Sequence, residues 1–306
     1  MKRLLLPLLL MLTLLSCYDR HGDDTRRSMY YWSTVLDIDS AKADFIDRHG
    51  VGRIYLRYFD VVRDASGALT PNATLAFKTG VPHGVETVPT VYITNDCMLG
   101  DVGGLAEKIC LRIKQMSRTN DIDGVKEIQM DCDWTRLTRK RYFRFLEELR
   151  ALAHADGLTL SVTIRLHQLS QPAPPADRGV LMMYNTGDFT DLTCEKPILD
   201  MRDAAPYMHR LHSYRLHLSS AYPLFGWRIL FRRGRYVGIM HKDDDLPVLP
   251  GDSIVVRQPS LEDIMTAVKA VGRKRPDANR EVILYDLSNP NISKFNPDDY
   301  EKIFNH

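Results

Sequence analysis

The residues best suited to chemistry lie in one run, Glu127-Ile128-Gln129-Met130-Asp131-Cys132-Asp133-Trp134-Thr135. Side chains alternate between the two faces of an extended strand. Ile128, Met130, Cys132 and Trp134 therefore share one face, and Gln129, Asp131 and Asp133 the other. A second run sets Ser161, Thr163, Arg165 and His167 against apolar Val162, Ile164 and Leu166, and a third sets Arg57 against Ile54 and Leu56 before ending at Asp60. Carboxylates beside arginines can do two things. One acid can protonate a leaving oxygen while another serves as base or nucleophile, as glycosidic cleavage requires. The same groups can instead form an internal ion network, since buried charges must be paired. The candidate catalytic residues are Asp131, Asp133 and Asp60. Candidate ligand contacts are Arg57, Gln129, Arg165, His167, Tyr184, Asn185 and Asp286, with Asn95 and Asp96 on the same rim. Trp32, Trp134, Tyr184 and Trp227 either stack on sugar rings or pack in the core.

Such residues act together only if strands bring their ends to one place. Apolar runs at 30–36, 53–59, 88–94, 127–133, 159–166, 180–184, 214–221 and 282–286 alternate with amphipathic helical patterns, which predicts parallel strands with crossover helices. Eight is the number that closes a TIM-type (β/α)8 barrel, whose sites lie at the C-terminal strand ends. Phe143, Leu146, Leu149 and Ala153 keep a helical period before Gly157, as do Leu105, Ile109, Ile113 and Met116, and Ser260 with Asp263 forms a near capping box ahead of Ile264, Val268 and Val271. The fifth crossover breaks the pattern, because Pro172, Pro174 and Pro175 interrupt it. After the seventh strand, 227–231 and 236–240 flank Arg232-Arg233-Gly234-Arg235 and predict a hairpin within an insertion at 227–258. His241 and Asp243-Asp244-Asp245 read there as a solvated loop.

The 306 residues, 44% hydrophobic, are those of a globular protein. Length alone allows two domains or one large barrel. The net charge of +2 belongs to Lys2 and Arg3, and without them 39 cations face 39 acids. That balance offers nucleic acid no general attraction. Residues 1–16 read as a secretory signal peptide. The apolar stretch at 4–15 falls short of the roughly 20 residues a spanning helix needs. Polar residues at 17–27 read as a tether, leaving 28–306 as the barrel domain. Cys97, Cys110, Cys132 and Cys194 are spaced irregularly; buried thiols are favoured over disulfides, and zinc-ligand spacing is missing. Nothing in the sequence calls for a metal or cofactor.

Leu14-Leu15-Ser16-Cys17 resembles the lipobox of bacterial lipoproteins. The resemblance implies a lipid on Cys17 and attachment to a bilayer, with Tyr18 in place of Asp favouring the outer membrane, either at the cell surface or facing the periplasm. The series YYWSTVLD, IYLRYFDVV, VYITND, EIQMDCDWT, VTIRLHQ and MMYNTGD resembles a group of Bacteroidetes lipoproteins related to glycosidase-like barrels, which brings no activity with it. More distantly, three pieces in order are similar to the chitinase-type glycoside hydrolases. Their DxDxE pattern is met by Asp131, Asp133 and Thr135, and their MxYD by Met182, Tyr184 and Asn185. Their Pro-aromatic-Gly-Arg pattern is loosely met by Pro223-Leu224-Phe225-Gly226-Trp227-Arg228. This resemblance implies a glycan or polysaccharide ligand. Thr135 stands where that family keeps its proton-donating Glu, and a hydroxyl is a poor acid near neutral pH. An enzyme of this kind would need its acid elsewhere.

Two alternatives stand beside a glycan-active barrel. The DxDxT run also resembles the haloacid-dehalogenase-like phosphatases, in which the first Asp attacks phosphate beside Mg²⁺. Those enzymes carry the run on their first strand, whereas three strand candidates precede it here. The other is a non-catalytic surface lipoprotein whose hairpin arginines, Arg228, Arg232, Arg233 and Arg235, meet an acidic partner.

Overall fold

The computed structural model describes residues 25–241 and 245–306. The expected signal peptide, the expected lipid site Cys17, most of the expected tether, and Asp243 and Asp244 lie outside the described residues. In chain order the strands are β1 (Arg26–Tyr31), β2 (Val35–Leu36), β3 (Arg53–Arg63), β4 (Leu69–Asn72), β5 (Ala76–Phe77), β6 (Glu86–Ile93) and β7 (Glu127–Asp131). They continue as β8 (Thr159–Arg165), β9 (Arg178–Met182), β10 (His217–Pro223), β11 (Trp227–Arg232), β12 (Arg235–Met240), β13 (Asp252–Arg257) and β14 (Glu281–Tyr285). The α-helices are α1 (Ser40–Arg48), α2 (Leu105–Thr119), α3 (Arg139–Ala155), α4 (Met201–Met208), α5 (Leu261–Lys274), α6 (Asn289–Ile292) and α7 (Pro297–Asn305).

Eight of the strands form a closed parallel ring in the order β1, β3, β6, β7, β8, β9, β10, β14. Closure falls at β1, where Ser28 lies opposite Arg53 on one side and Ile283 on the other. The barrel is of the TIM type, and its helices bury their apolar stripes against it. α3 buries Tyr142, Phe145, Leu146, Leu149 and Ala153. α5 starts at a true capping box, in which Ser260 accepts from the Asp263 amide and Asp263 accepts from the Ser260 amide. Between β8 and β9 the prolines leave a single 3₁₀ turn, Leu166–Ser170, in place of a helix. Beyond β10, β11 pairs antiparallel with both β12 and β13, giving a small three-stranded sheet above the barrel mouth.

The expected boundaries need three corrections. The first strand is Arg26–Tyr31 rather than 30–36, so the last two residues assigned to the tether belong to the barrel. Polar side chains disguised it: the Ser28 hydroxyl donates to Glu281 at 2.8 Å, and Arg27 pairs with Glu301 at 3.0 Å. Val35–Leu36 instead pairs with Ala76–Phe77. The seventh strand starts at His217 rather than at 214, after a short 3₁₀ turn.

Polar groups fill the ring in tiers. At the N-terminal end, Arg53 reaches Glu86, Glu127 and Glu281 at 2.7, 3.2 and 3.4 Å. Above it the Tyr30 hydroxyl donates to Gln129 at 2.7 Å, and Gln129 donates to Ser161 at 3.3 Å. The C-terminal tier holds Asp131 and Arg165.

The outer surface of β9 leaves no spare room. A Cβ on Gly179 would stand 2.9 Å from methyl carbons of Leu216 and Leu218 and 3.1 Å from Ile164. Gly179→Ala is expected to cost about 1–3 kcal/mol by overpacking, read as a lower midpoint in urea with an unchanged slope.

Candidate active site

The C-terminal strand ends open into a cleft of about 500 Å³, within the usual range for ligand sites. Its charged side is built by β3, β7 and β8. Asp131 ends β7 fully inside the ring. It accepts from the Thr163 hydroxyl at 2.6 Å and from Arg165 Nη2 at 3.0 Å. Asp133 follows beyond the strand, half exposed, and is hydrogen-bonded by Arg165 Nε. Arg165 therefore bridges both aspartates of the DxD run. Burial pushes the Asp131 carboxyl above the usual range against the opposing pull of Arg165. Arg57 lies against the Trp32 ring, 5.3 Å from its centroid, and donates through Nε to Asp60 at 2.8 Å.

The other side is aromatic. Trp32 follows β1, Tyr285 ends β14, and Phe225 and Trp227 follow β10. Their rings form a continuous line: Trp32 to Tyr285 at 5.7 Å, Tyr285 to Phe225 at 5.7 Å, Phe225 to Trp227 at 5.5 Å. Tyr184 joins them, tilted at 5.4 Å from Tyr285 and edge-on to Phe225 at 5.7 Å, and burial raises its hydroxyl far above the ordinary tyrosine value. Asp286 lies beside them, accepting from Asn291 at 2.5 Å, and burial raises its carboxyl as well.

Several expected site residues meet here. Arg57, Asp131, Asp133, Arg165, Tyr184, Asn185 and Asp286 all line the cleft, with Trp32 and Trp227. Others do not. Gln129 is buried one tier lower, and Asp60 is buried behind Arg57, its carboxylate taken up by that guanidinium. His167 falls outside because β8 ends at Arg165: the 3₁₀ turn breaks the alternation and turns the imidazole into a neighbouring groove. Trp134 packs in the core, with its ring centroid 5.2 Å from that of Phe143. Asn95 accepts from Thr138 at 2.6 Å and does not line the cleft; neither does Asp96.

Thr135 is also turned away. Its amide donates to the Thr138 hydroxyl at 2.9 Å, at the start of α3, and it lines the groove that holds His167. The position that the DxDxE resemblance gives to a glutamate therefore does not face the cleft. Tyr92, His241, Phe225, Gly226 and Tyr285 do face it. Tyr92 and Tyr285 occupy inward positions of β6 and β14, so the period of two was the available signal. His241 follows β12, and only the fold of the small sheet brings it over the mouth.

Arg232 of the hairpin is held by Asp252 at 2.9 Å, which removes it from the exposed basic cluster. The DxDxT run stands on the fourth strand of a closed barrel, outside the first-strand setting of the phosphatases it resembles.

No family model matches the chain, and no curated protein matches it. Solved structures do. The spore cortex-lytic enzyme SleL of Bacillus cereus is 15% identical with a TM-score of 0.58, covering 92% of this chain and 74% of its own. A chitinase from Bacteroides thetaiotaomicron is 13% identical with a TM-score of 0.58, covering 92% and 94%. A Group IV chitinase from Ostrinia furnacalis, solved with allosamidin, is 12% identical with a TM-score of 0.53, covering 91% and 100%. At these identities the likeness is one of fold, a TIM-type (β/α)8 barrel.

Proposed function

We propose that this chain is a glycan-binding barrel of glycoside-hydrolase ancestry, held at the outer membrane through a lipid on Cys17, with its cleft serving recognition rather than cleavage. The observation that carries the reading is the pairing of a continuous aromatic line with an Arg165-bridged pair of aspartates across one open cleft. Rings of this kind stack on the apolar faces of sugars, while half-exposed Asp133 and the guanidinium offer directed hydrogen bonds to hydroxyls. Against turnover stand Thr135, tied into the α3 start, and Asp60, tied to Arg57. N-acetylglucosamine oligosaccharides are the first probe, because the fold neighbours include chitinases and one was solved with allosamidin.

Calorimetric titration with such oligosaccharides is expected to show binding that Trp227→Ala weakens by roughly 30-fold, the scale of a buried aromatic anchor. Thr135→Glu is expected to leave binding intact and to produce no reducing ends, since that side chain does not reach the cleft. Product release by Thr135→Glu would overturn the recognition reading.

A hydrolytic reading has one observation in its favour. Asp286 lies in the cleft with its carboxyl raised by burial, as a proton donor requires. Reducing ends released by the unmodified chain and lost in Asp286→Asn would establish it.

A further inference from the structure

The opposite end of the barrel carries a second, unassigned surface. Two connections reach the N-terminal strand ends side by side. Residues 209–217 read His-Arg-Leu-His-Ser-Tyr-Arg-Leu-His and lead into β10; residues 273–280 read Arg-Lys-Arg-Pro-Asp-Ala-Asn-Arg and lead into β14. β10 and β14 are neighbours in the ring, and β1 lies next to β14 with Arg26 beside Glu281. Arg210, Arg215, Arg273, Lys274 and Arg280 are all exposed. Among the described residues, the acids within this area are already committed: Asp277 is held by Arg275 at 3.3 Å, and buried Glu281 by Arg53 and Arg178 at 3.4 and 3.2 Å. Between the strand ends lies a recess of about 330 Å³, with Arg26, Arg178, His217 and Arg280 in its wall beside the committed Asp277 and Glu281. The other half of this end differs in charge. Exposed Asp121 and Asp123 are offset there by exposed Arg118 and Lys126 ahead of β7, which stands across the ring from β14, so that side is near neutral.

The chain also enters the barrel at this end, because Arg26 opens β1 and β1 runs from here toward the cleft. From Cys17 to Arg26 the backbone spans at most about 30 Å. A bilayer attachment at Cys17 thus puts the basic half of this end within reach of the lipid surface and the cleft on the far side. We propose that the surface formed by 209–217 and 273–280 docks on the phosphate headgroups of an anionic bilayer, seating the barrel on its β10–β14 side with the cleft directed outward. The inference rests on the anchoring proposed above. Charge complementarity selects the occupant: exposed Arg210, Arg215, Arg273 and Lys274 outnumber the acids described around them and attract an anionic leaflet, each basic residue contributing about fivefold in affinity near the surface.

The test uses the full chain in vesicles of phosphatidylcholine alone or mixed with phosphatidylglycerol, read by amide hydrogen exchange. Anionic vesicles are expected to slow exchange in 209–217 and 273–280 by roughly tenfold relative to neutral ones, with the effect lost at high salt. The combined substitution Arg210→Glu, Arg215→Glu, Arg273→Glu and Lys274→Glu should remove that protection without lowering the melting temperature, whereas Lys126→Glu, at the start of the β7 side, should not. If the quadruple variant fails to fold, the pair Arg273→Gln and Lys274→Gln gives the same reading at reduced size. Equal exchange in both vesicle types overturns the docking. So does equal protection of the same segments by millimolar inorganic phosphate without vesicles, which would make the recess a site for free phosphate. Cosedimentation with neutral vesicles reports the anchor separately, so loss of anchoring and loss of docking are distinguishable.

Discussion

Arg165→Met is expected to abolish glycan binding and to destabilise the barrel by about 3–5 kcal/mol, the cost of leaving a buried charge without its partner. Arg165 is the cation that touches both Asp131 and Asp133, and once it is gone only the Thr163 hydroxyl remains on Asp131. Burial already raises the Asp131 carboxyl with Arg165 in place. Without the guanidinium it rises further. A carboxyl whose folded value lies above its unfolded value of about 3.9 costs stability as pH climbs through the interval between them. The variant's deficit should therefore be largest at neutral pH and shrink on acidification. Urea unfolding at neutral and acidic pH measures it. The double variant Arg165→Met with Asp131→Asn should regain most of the stability and none of the binding. If binding survives in either variant, the bridged pair is a structural ion network and the aromatic side alone holds the ligand.

The barrel was largely legible because strand alternation and helix periodicity are local signals. The runs around Ile128 and Val162, the capping box at Ser260 and the prolines at 172–175 each act over a few residues, and each predicted its element. Legibility failed where tertiary pairing overrode composition. Arg26 and Arg27 look like tether, yet their partners Glu86, Glu301 and Asn305 come from distant parts of the chain. At the site, alternation placed Asp131 and Arg165 together, since both lie within strands. It misplaced His167, because β8 stops short of it and the chain then turns, whereas Trp134 lies in the core on the face opposite the aspartates, where alternation put it. His241 depended on how a three-stranded sheet folds back over the mouth, and no spacing along the chain reports that.

The second large effect lies at the other end of the same ring. Arg53→Met is expected to cost about 3–5 kcal/mol, while leaving glycan affinity in the folded protein unchanged. Arg53 is buried and serves Glu86, Glu127 and Glu281 together, with Tyr55 3.3 Å from its Nη1. Burial holds the Glu127 carboxyl above its ordinary value even with this cation present. Removing the cation leaves acids that must take up protons or unfold the floor, so the loss should again be greatest well above the ordinary glutamate value of about 4.3 and diminish toward it. Adding Glu127→Gln and Glu281→Gln should restore part of the stability, because neutral amides need no counter-charge. Thermal melting across pH and calorimetric titration of the same samples separate the two quantities. Lowered affinity at unchanged stability would mean that the floor reaches the cleft through Tyr55, Tyr30 and Gln129, whose rings and hydrogen bonds join the tiers. Unchanged affinity with lowered stability would mean that the ring keeps its scaffold charges and its ligand-facing charges in separate layers, which is what allows one layer to lose chemistry while the other continues to hold the fold.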